Sequence, residues 1–145
     1  MKLPLIVCDT PGDDLSIHDS IEEAEIFLEA IDVRNNEYVA FDAQGNVLIL
    51  EIEKVRQPTF FGLFHNDIEM VRIREAEPVA NKEDELRQRL IDYILCFQKD
   101  SDLLVNMKTP QLVEIAWQFE QQHRYFFAKS FIGRLYFYVK QKYCR

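Results

Sequence analysis

Glycine and proline are scarce in this chain of 145 residues, which has four glycines and five prolines. No segment therefore has the composition of a flexible linker or a collagen-like repeat. The three cysteines, Cys8, Cys96 and Cys144, are odd in number and widely spaced. This pattern argues against a disulfide framework and favours a reducing compartment, so we expect a cytoplasmic protein. Cys8 and Cys96 lie in apolar runs, and we expect both in the core.

Long hydrophobic runs are also missing. The most apolar segment, YFFAKSFIGRLYFYV, is interrupted by Lys129 and Arg134 and has fewer than the about 18 clean apolar residues that a membrane span needs. We therefore expect no membrane partner. Apolar residues make up 48% of the chain and charged residues 29%, which is ordinary for a folded protein. This length and composition predict one domain over residues 1–145.

Basic residues are almost absent from the first third of the chain. Residues 1–53 contain thirteen acidic residues and two basic ones, for a net charge of −11, whereas residues 54–145 have a net charge of +3. The formal charge of −8 therefore arises entirely in the first third. A nucleic-acid partner is disfavoured, because phosphates are bound by cationic side chains.

The pattern along the chain predicts the order β-α-β-β-β followed by three helices. Strands are predicted in LPLIVC, EYVAF, VLILEIEKV and IEMVRIRE, and helices begin after Ser20, after Asn81, at Thr109–Pro110 and near Lys129. Gly45 is expected to take a positive φ in the turn DAQGN. Across the hairpin of the last two strands, Glu51 and Glu53 could face Arg72 and Arg74.

This order indicates an α+β fold, in which helices pack on one face of a mostly antiparallel sheet. We expect one core, formed by the apolar stripes of these elements. Its predicted members are Leu28, Ile31, Tyr38, Phe41, Leu48, Leu50, Ile73, Leu90, Ile94, Ile115 and Phe119.

Acidic residues line the first predicted helix, which begins at Ser20 with the spacing of a capping box to Glu23. The residues Glu22, Glu25, Glu29 and Asp32 recur at intervals of three and four, which would place them on one helix face. Neighbouring like charges at this spacing cost about 0.2–0.5 kcal/mol per pair. They form either a solvated face or a docking surface for a basic partner. The four acids lie opposite the apolar face of the helix, so we expect them to point to solvent. Replacing Glu25 and Glu29 by lysine should then leave folding intact or improve it slightly, while weakening partner binding and its salt dependence.

The segment SIEEAEIFLEAIDVRNNEYVAFDAQGNVLIL, from Ser20 to Leu50, resembles a segment of small bacterial proteins in which a helix ending in LEAIDV leads through an asparagine-containing turn to a strand and a second turn. Some of these proteins resemble immunity proteins of bacterial toxin systems. The resemblance implies a role in neutralising a toxin, and it supplies no catalytic residues.

A second candidate contact lies in the predicted loop RQPTFFGLFHND. Phe60, Phe61 and Phe64 fall within five residues of each other. If exposed, they would form an apolar patch typical of an interaction site. If folded back, they would form a lid over the sheet or the helices, and loop aromatics usually find such cover.

Motifs for catalysis or for cofactor binding are missing. The sequence contains no G-x-S-x-G, P-loop, G-x-G-x-x-G or H-E-x-x-H, so we expect no cofactor and no metal site. Asp9, Asp13 and Asp14 could hold Mg²⁺ or Ca²⁺, but a solvated turn explains them better. The leading hypothesis is a non-enzymatic module that docks on a basic protein, such as a toxin. The alternative is a small enzyme or ligand-binding domain with a pocket between the sheet and the helices.

Overall fold

The computed structural model describes residues 1–10, 14–59, 64–97 and 101–129, and within these ranges the side chains of residues 57–59, 64–66, 101–102 and 123–129 lie outside the description. Five antiparallel strands form a sheet in the order β2-β1-β3-β4-β5. Their bounds are β1 (Leu5–Asp9), β2 (Leu15–His18), β3 (Tyr38–Phe41), β4 (Val47–Thr59) and β5 (Phe64–Glu75). The predicted α+β class and the antiparallel sheet are confirmed. Strand β2 was not predicted.

The helices within the described residues differ from the prediction in number and length. Their bounds are α1 (Ile21–Phe27), α2 (Ala30–Arg34), α3 (Glu83–Leu95), α4 (Ser101–Val105) and α5 (Thr109–Lys129). The predicted start at Thr109 is confirmed, and α5 continues as far as Lys129. The helix predicted after that point lies outside the described residues.

Apolar side chains cover both faces of the sheet. On one face, Ile6, Cys8 and Phe41 pack with residues of α3 and α5 such as Leu90 and Leu112. On the other face, strand residues pack with the helix residues Ala24 and Leu28, and the strand members of this cluster are Leu5, Val7, Ala40, Leu48, Val71 and Ile73. The predictions of one core and of helices on one face are therefore wrong. The side chains of β1 are apolar on both faces of the sheet, so both faces must be covered.

The predicted core residues are mostly inside the protein. Leu28, Phe41, Leu48, Ile73, Leu90 and Ile94 are buried, and Tyr38, Leu50, Ile115 and Phe119 are half-buried. Ile31 is the exception, with 57% of its surface exposed. It lies in α2, after a break in the chain direction that changes which residues of this segment face the sheet.

Strands β4 and β5 form a long hairpin. Their pairing is continuous from Leu48–Glu75 to Thr59–Phe64, whereas β3 pairs with β4 at Ala40–Leu48 and Phe41–Val47. The predicted twelve-residue loop is mostly strand, and its tip, residues 60–63, lies outside the described residues. The predicted facing charges are confirmed, since Arg74 pairs with Glu51 at 3.1 Å and Arg72 with Glu53 at 2.9 Å.

Candidate functional site

The acidic segment begins as predicted and then breaks. The Ser20 hydroxyl accepts a hydrogen bond from the Glu23 backbone N–H at 3.0 Å, which caps α1. Leu28 and Glu29 then adopt extended backbone angles, with ψ of 134° and 131°, before α2 begins at Ala30. Glu22 and Glu25 therefore belong to one helix, Glu29 to the break and Asp32 to a second helix. The prediction that all four share one helix face is wrong.

Glu25 is held against the sheet. Its side chain is 12% exposed, and its carboxylate accepts hydrogen bonds from Arg72 Nη1 at 2.8 Å and from the backbone N–H of Ile73 at 3.0 Å. Arg72 also pairs with Glu53. The expectation that Glu25 points to solvent is therefore wrong, because an arginine distant in sequence lies beside it in space.

The other three acidic residues differ in their surroundings. Asp32 accepts a hydrogen bond from the Tyr38 hydroxyl at 3.2 Å. Burial raises the pKa of Tyr38 to about 12, and the charge of Asp32 and this hydrogen bond contribute to the shift. Glu22 and Glu29 are exposed, and neither takes part in the ion pairs found among the described residues. They are the two predicted contact acids that remain available.

Of the three aromatic candidates, only the backbone of Phe64 belongs to the described residues. Phe60 and Phe61 fall outside the described residues. Phe64 is the first residue of β5 and pairs with Thr59, and its side chain also lies outside the described part. The choice between an exposed patch and a lid stays a prediction.

A cleft of about 800 Å³ lies among the described residues. Its walls come from the N-terminal strand region, the β3–β4 turn, the start of α3 and the first three turns of α5. The lining residues are Lys2, Leu3, Pro4, Asp19, Ala43, Gln44, Asn46, Asn81, Glu83, Thr109, Pro110, Val113, Glu114 and Trp117. The volume falls in the usual range for small-ligand sites. We call this feature the α5 cleft.

Three carboxylates and one indole give the α5 cleft its chemistry. Asp19 accepts a hydrogen bond from Trp117 Nε1 at 2.8 Å. Glu83 accepts one from the Thr109 hydroxyl at 2.6 Å, and Glu114 accepts one from Gln118 at 3.0 Å. All of these donors are neutral, so none of these hydrogen bonds brings a cation to the three carboxylates.

The β3–β4 turn positions one wall of the cleft through a buried carboxylate. Asp42 accepts hydrogen bonds from the backbone N–H groups of Lys2, Gln44 and Asn46, and from the Asn46 side chain, at 2.9–3.0 Å. Burial alone would raise the pKa of Asp42, but these hydrogen bonds together hold it below its usual 3.8. The charged carboxylate therefore fixes the turn against the N-terminal segment.

Gly45 and Asn81 join this turn to α3. Gly45 has a φ of +80°, as predicted, and its carbonyl accepts a hydrogen bond from the Lys82 backbone N–H at 2.8 Å. The Asn81 amide group donates to the Gln44 carbonyl and to Asn46 Oδ1, both at 3.0 Å. Asn81 Oδ1 accepts a hydrogen bond from the Glu83 backbone N–H at 3.2 Å, but the N-cap of α3 is Lys82, one residue after the predicted Asn81.

The remaining candidates are the cysteines and the aspartate cluster. Cys8 is buried, as predicted, and burial raises the pKa of its thiol to about 12. Cys96 is exposed at the end of α3, so the expectation that it lies in the core is wrong. Asp13 lies outside the described residues. In the part that the structure describes, no group of three or more His, Cys, Asp or Glu residues could hold a metal ion.

Sequence reasoning did not identify the α5 cleft. Its residues come from segments that are far apart in the chain, and individually they have the ordinary spacing of caps, turns and helix faces. The one feature of the sequence that pointed to this site is Trp117, the single tryptophan of the chain.

No described helix is both long enough and apolar enough to cross a membrane. Comparisons with models of known protein families, with curated proteins and with solved structures find no match to this chain.

Proposed function

We propose that this chain is a non-enzymatic, cytoplasmic protein-binding module that docks on a basic protein, as an immunity protein docks on the toxin it neutralises. The observation that carries the proposal is the exposure of Glu22 and Glu29 without a cationic partner among the described residues. Arg34 is already paired with Glu69, and Arg72 is already paired with Glu25 and Glu53.

Exposed acidic residues without cationic partners attract basic partners and accelerate their encounter. The first third of the chain has a net charge of −11, and its ion pairs with Arg72 and Arg74 neutralise only part of it. Docking through Glu22 and Glu29 would act through occlusion, by covering a functional region of the partner. The aromatic residues Phe60, Phe61 and Phe64 are a second proposed contact.

The experiment is a pull-down from native cell lysate with the wild type and with the double variant Glu22→Lys and Glu29→Lys. We expect the wild type to capture a basic protein at low salt, and the variant to lose it. Capture should also weaken as salt rises, because exposed charges are screened. Co-expression with the captured protein then tests neutralisation, since the wild type should relieve its toxicity and the variant should not.

The matched control is the double variant Glu77→Lys and Asp92→Lys, which changes the net charge equally at two other exposed sites. This control should capture the same partner as the wild type. Circular dichroism and thermal melts verify that each variant is folded. Capture that is equal in all three proteins, or that ignores salt, would remove the acidic surface as the basis of function.

The α5 cleft favours a second candidate, a small-ligand-binding domain, because its volume of about 800 Å³ suits a small molecule. A thermal-shift screen of metabolites with the isolated protein tests this candidate. A metabolite that raises the melting temperature of the wild type, with no protein captured from lysate, would favour it over the docking function.

A further inference from the structure

We propose that the α5 cleft binds the guanidinium group of an arginine side chain carried by a protein chain. The inference rests on the proposed function only in taking the arginine from a protein partner. The chemistry of the cleft itself is argued from its own residues, which are distinct from the contact acids Glu22 and Glu29.

The charge of the cleft favours a cation. Asp19, Glu83 and Glu114 line it, and none of them takes part in an ion pair among the described residues. Lys2 is the cationic side chain among the described lining residues. The carboxylates of the lining therefore outnumber its cationic side chains, which favours a cationic ligand over a phosphate or a carboxylate.

Trp117 adds an aromatic surface to these charges. Its indole N–H donates to Asp19 at 2.8 Å, which fixes the orientation of the ring beside a carboxylate. A guanidinium over an indole face is attracted by the ring quadrupole, and tryptophan is the strongest of the aromatic side chains in this interaction. The same cation can then reach a carboxylate at the edge of the ring.

Shape distinguishes arginine from lysine. Arginine presents a planar fork of N–H donors that matches carboxylate oxygens in pairs and stacks on aromatic rings, whereas the lysine ammonium is a compact and strongly hydrated charge. The cleft, at about 800 Å³, exceeds the size of one side chain, so it leaves space for the neighbouring residues of a peptide. Buried Thr109 and Val113 form part of its lining.

The test uses the single tryptophan of the chain as its reporter. N-acetyl-arginine amide is titrated into the full-length protein while the indole N–H resonance of Trp117 and its fluorescence are recorded. We expect a saturable change in these signals. N-acetyl-lysine amide should bind several-fold more weakly, and the neutral analogue N-acetyl-citrulline amide should give no saturable change. Higher salt should weaken the binding of the arginine compound.

Glu83→Gln and Glu114→Gln should each weaken the binding of the arginine compound about threefold, and together about tenfold. Asp84→Asn is the matched control, since Asp84 lies beside Glu83 in the first turn of α3 but does not line the cleft. This control should bind as the wild type does. Free arginine serves as a further probe, and tighter binding of free arginine than of the blocked compound would overturn the assignment to a protein chain.

The inference fails if neither Trp117 signal responds to the arginine compound, or if the citrulline compound gives the same response. It fails separately from the proposed function. The variant with Glu22→Lys and Glu29→Lys should lose the captured protein and keep the arginine response. If the arginine response is present and no protein is captured, the docking function alone is contradicted.

Discussion

The carboxylate of Glu25 on α1 accepts a hydrogen bond from the backbone N–H of Ile73 on β5, with 3.0 Å between Oε1 and N. Ile73 is buried, and its N–H group faces a side chain here instead of a further strand. A residue that the sequence places in a repulsive acidic row is therefore a structural link between the first helix and the sheet edge.

The first prediction concerns this link. Glu25→Ala should lower the free energy of unfolding by about 1–3 kcal/mol, because it leaves the Ile73 N–H without its acceptor. Glu25→Lys should be at least as damaging, contrary to the sequence-based expectation, because it places a cation beside Arg72. Urea unfolding at neutral pH measures the change. Glu29→Ala is the control and should differ little from the wild type, and an equal effect of both alanine variants would contradict this role of Glu25.

A second prediction concerns Gly45. Its φ is +80°, and a Cβ atom built there would lie 2.5 Å from Glu83 Cα. Gly45→Ala should therefore destabilise the protein by more than about 1 kcal/mol, through backbone strain and displacement of the start of α3. Thermal unfolding measures the effect, with Gln44→Ala in the same turn as the control. A melting temperature unchanged by Gly45→Ala would show that α3 can move away from the turn without cost.

The third prediction is a pH dependence that arises from Asp42. Because its pKa is lower in the folded protein than its ordinary 3.8, its charged form stabilises the fold at pH values above 3.8. This contribution disappears as the pH falls through the lower folded pKa. The stability difference between the wild type and Asp42→Asn should be constant near neutral pH and shrink at acidic pH. Urea unfolding across this pH range measures the stability difference. A difference that grows on acidification would contradict the stabilising role of the charged Asp42.

The fourth prediction compares the cysteines. Cys8 is buried with a pKa of about 12, so almost none of it is thiolate at pH 8, whereas Cys96 is exposed. Iodoacetamide should modify Cys96 in the native protein and Cys8 only after unfolding in urea. Mass spectrometry of the peptides reports each site. Equal modification of both sites under native conditions would mean that the strand β1 opens readily.

The hairpin was predictable because its residues alternate. Along β5, Val71 and Ile73 alternate with Arg72 and Arg74, and a period of two assigns each side chain to a face. The ion pairs to Glu51 and Glu53 follow from that assignment. The turn at Gly45 was predictable for a similar local reason, since glycine takes a positive φ without strain.

The break between α1 and α2 had no local signal. The residues around it, IFLEAIDV, include no glycine or proline, and local propensity favours a continuous helix. Leu28 ends α1 and is buried against the sheet, so tertiary packing overrides the local preference. Strand β2 was not predicted either, because it has four residues and follows a polar segment of the sequence.

The cover on the second face of the sheet is indicated by the sequence of β1. Four consecutive residues of β1, Leu5 to Cys8, are apolar, and all four are buried. Strands with this pattern are covered on both faces, whereas alternation marks a face open to water. The α5 cleft could not be predicted in the same way, because only the folded chain brings Asp19 and Trp117 together.

The sheet consists of two locally connected parts that meet along one seam. Strands β1 and β2 pair near in sequence, as Cys8 with Leu15, and β3, β4 and β5 follow one another through short connections. The pairing of β1 with β3, as Ile6 with Phe41, instead closes a loop that contains α1 and α2. Contacts between distant residues carry a larger closure entropy and form later. We therefore expect folding to begin within each part, and the transition state to be governed by the docking of β1 on β3.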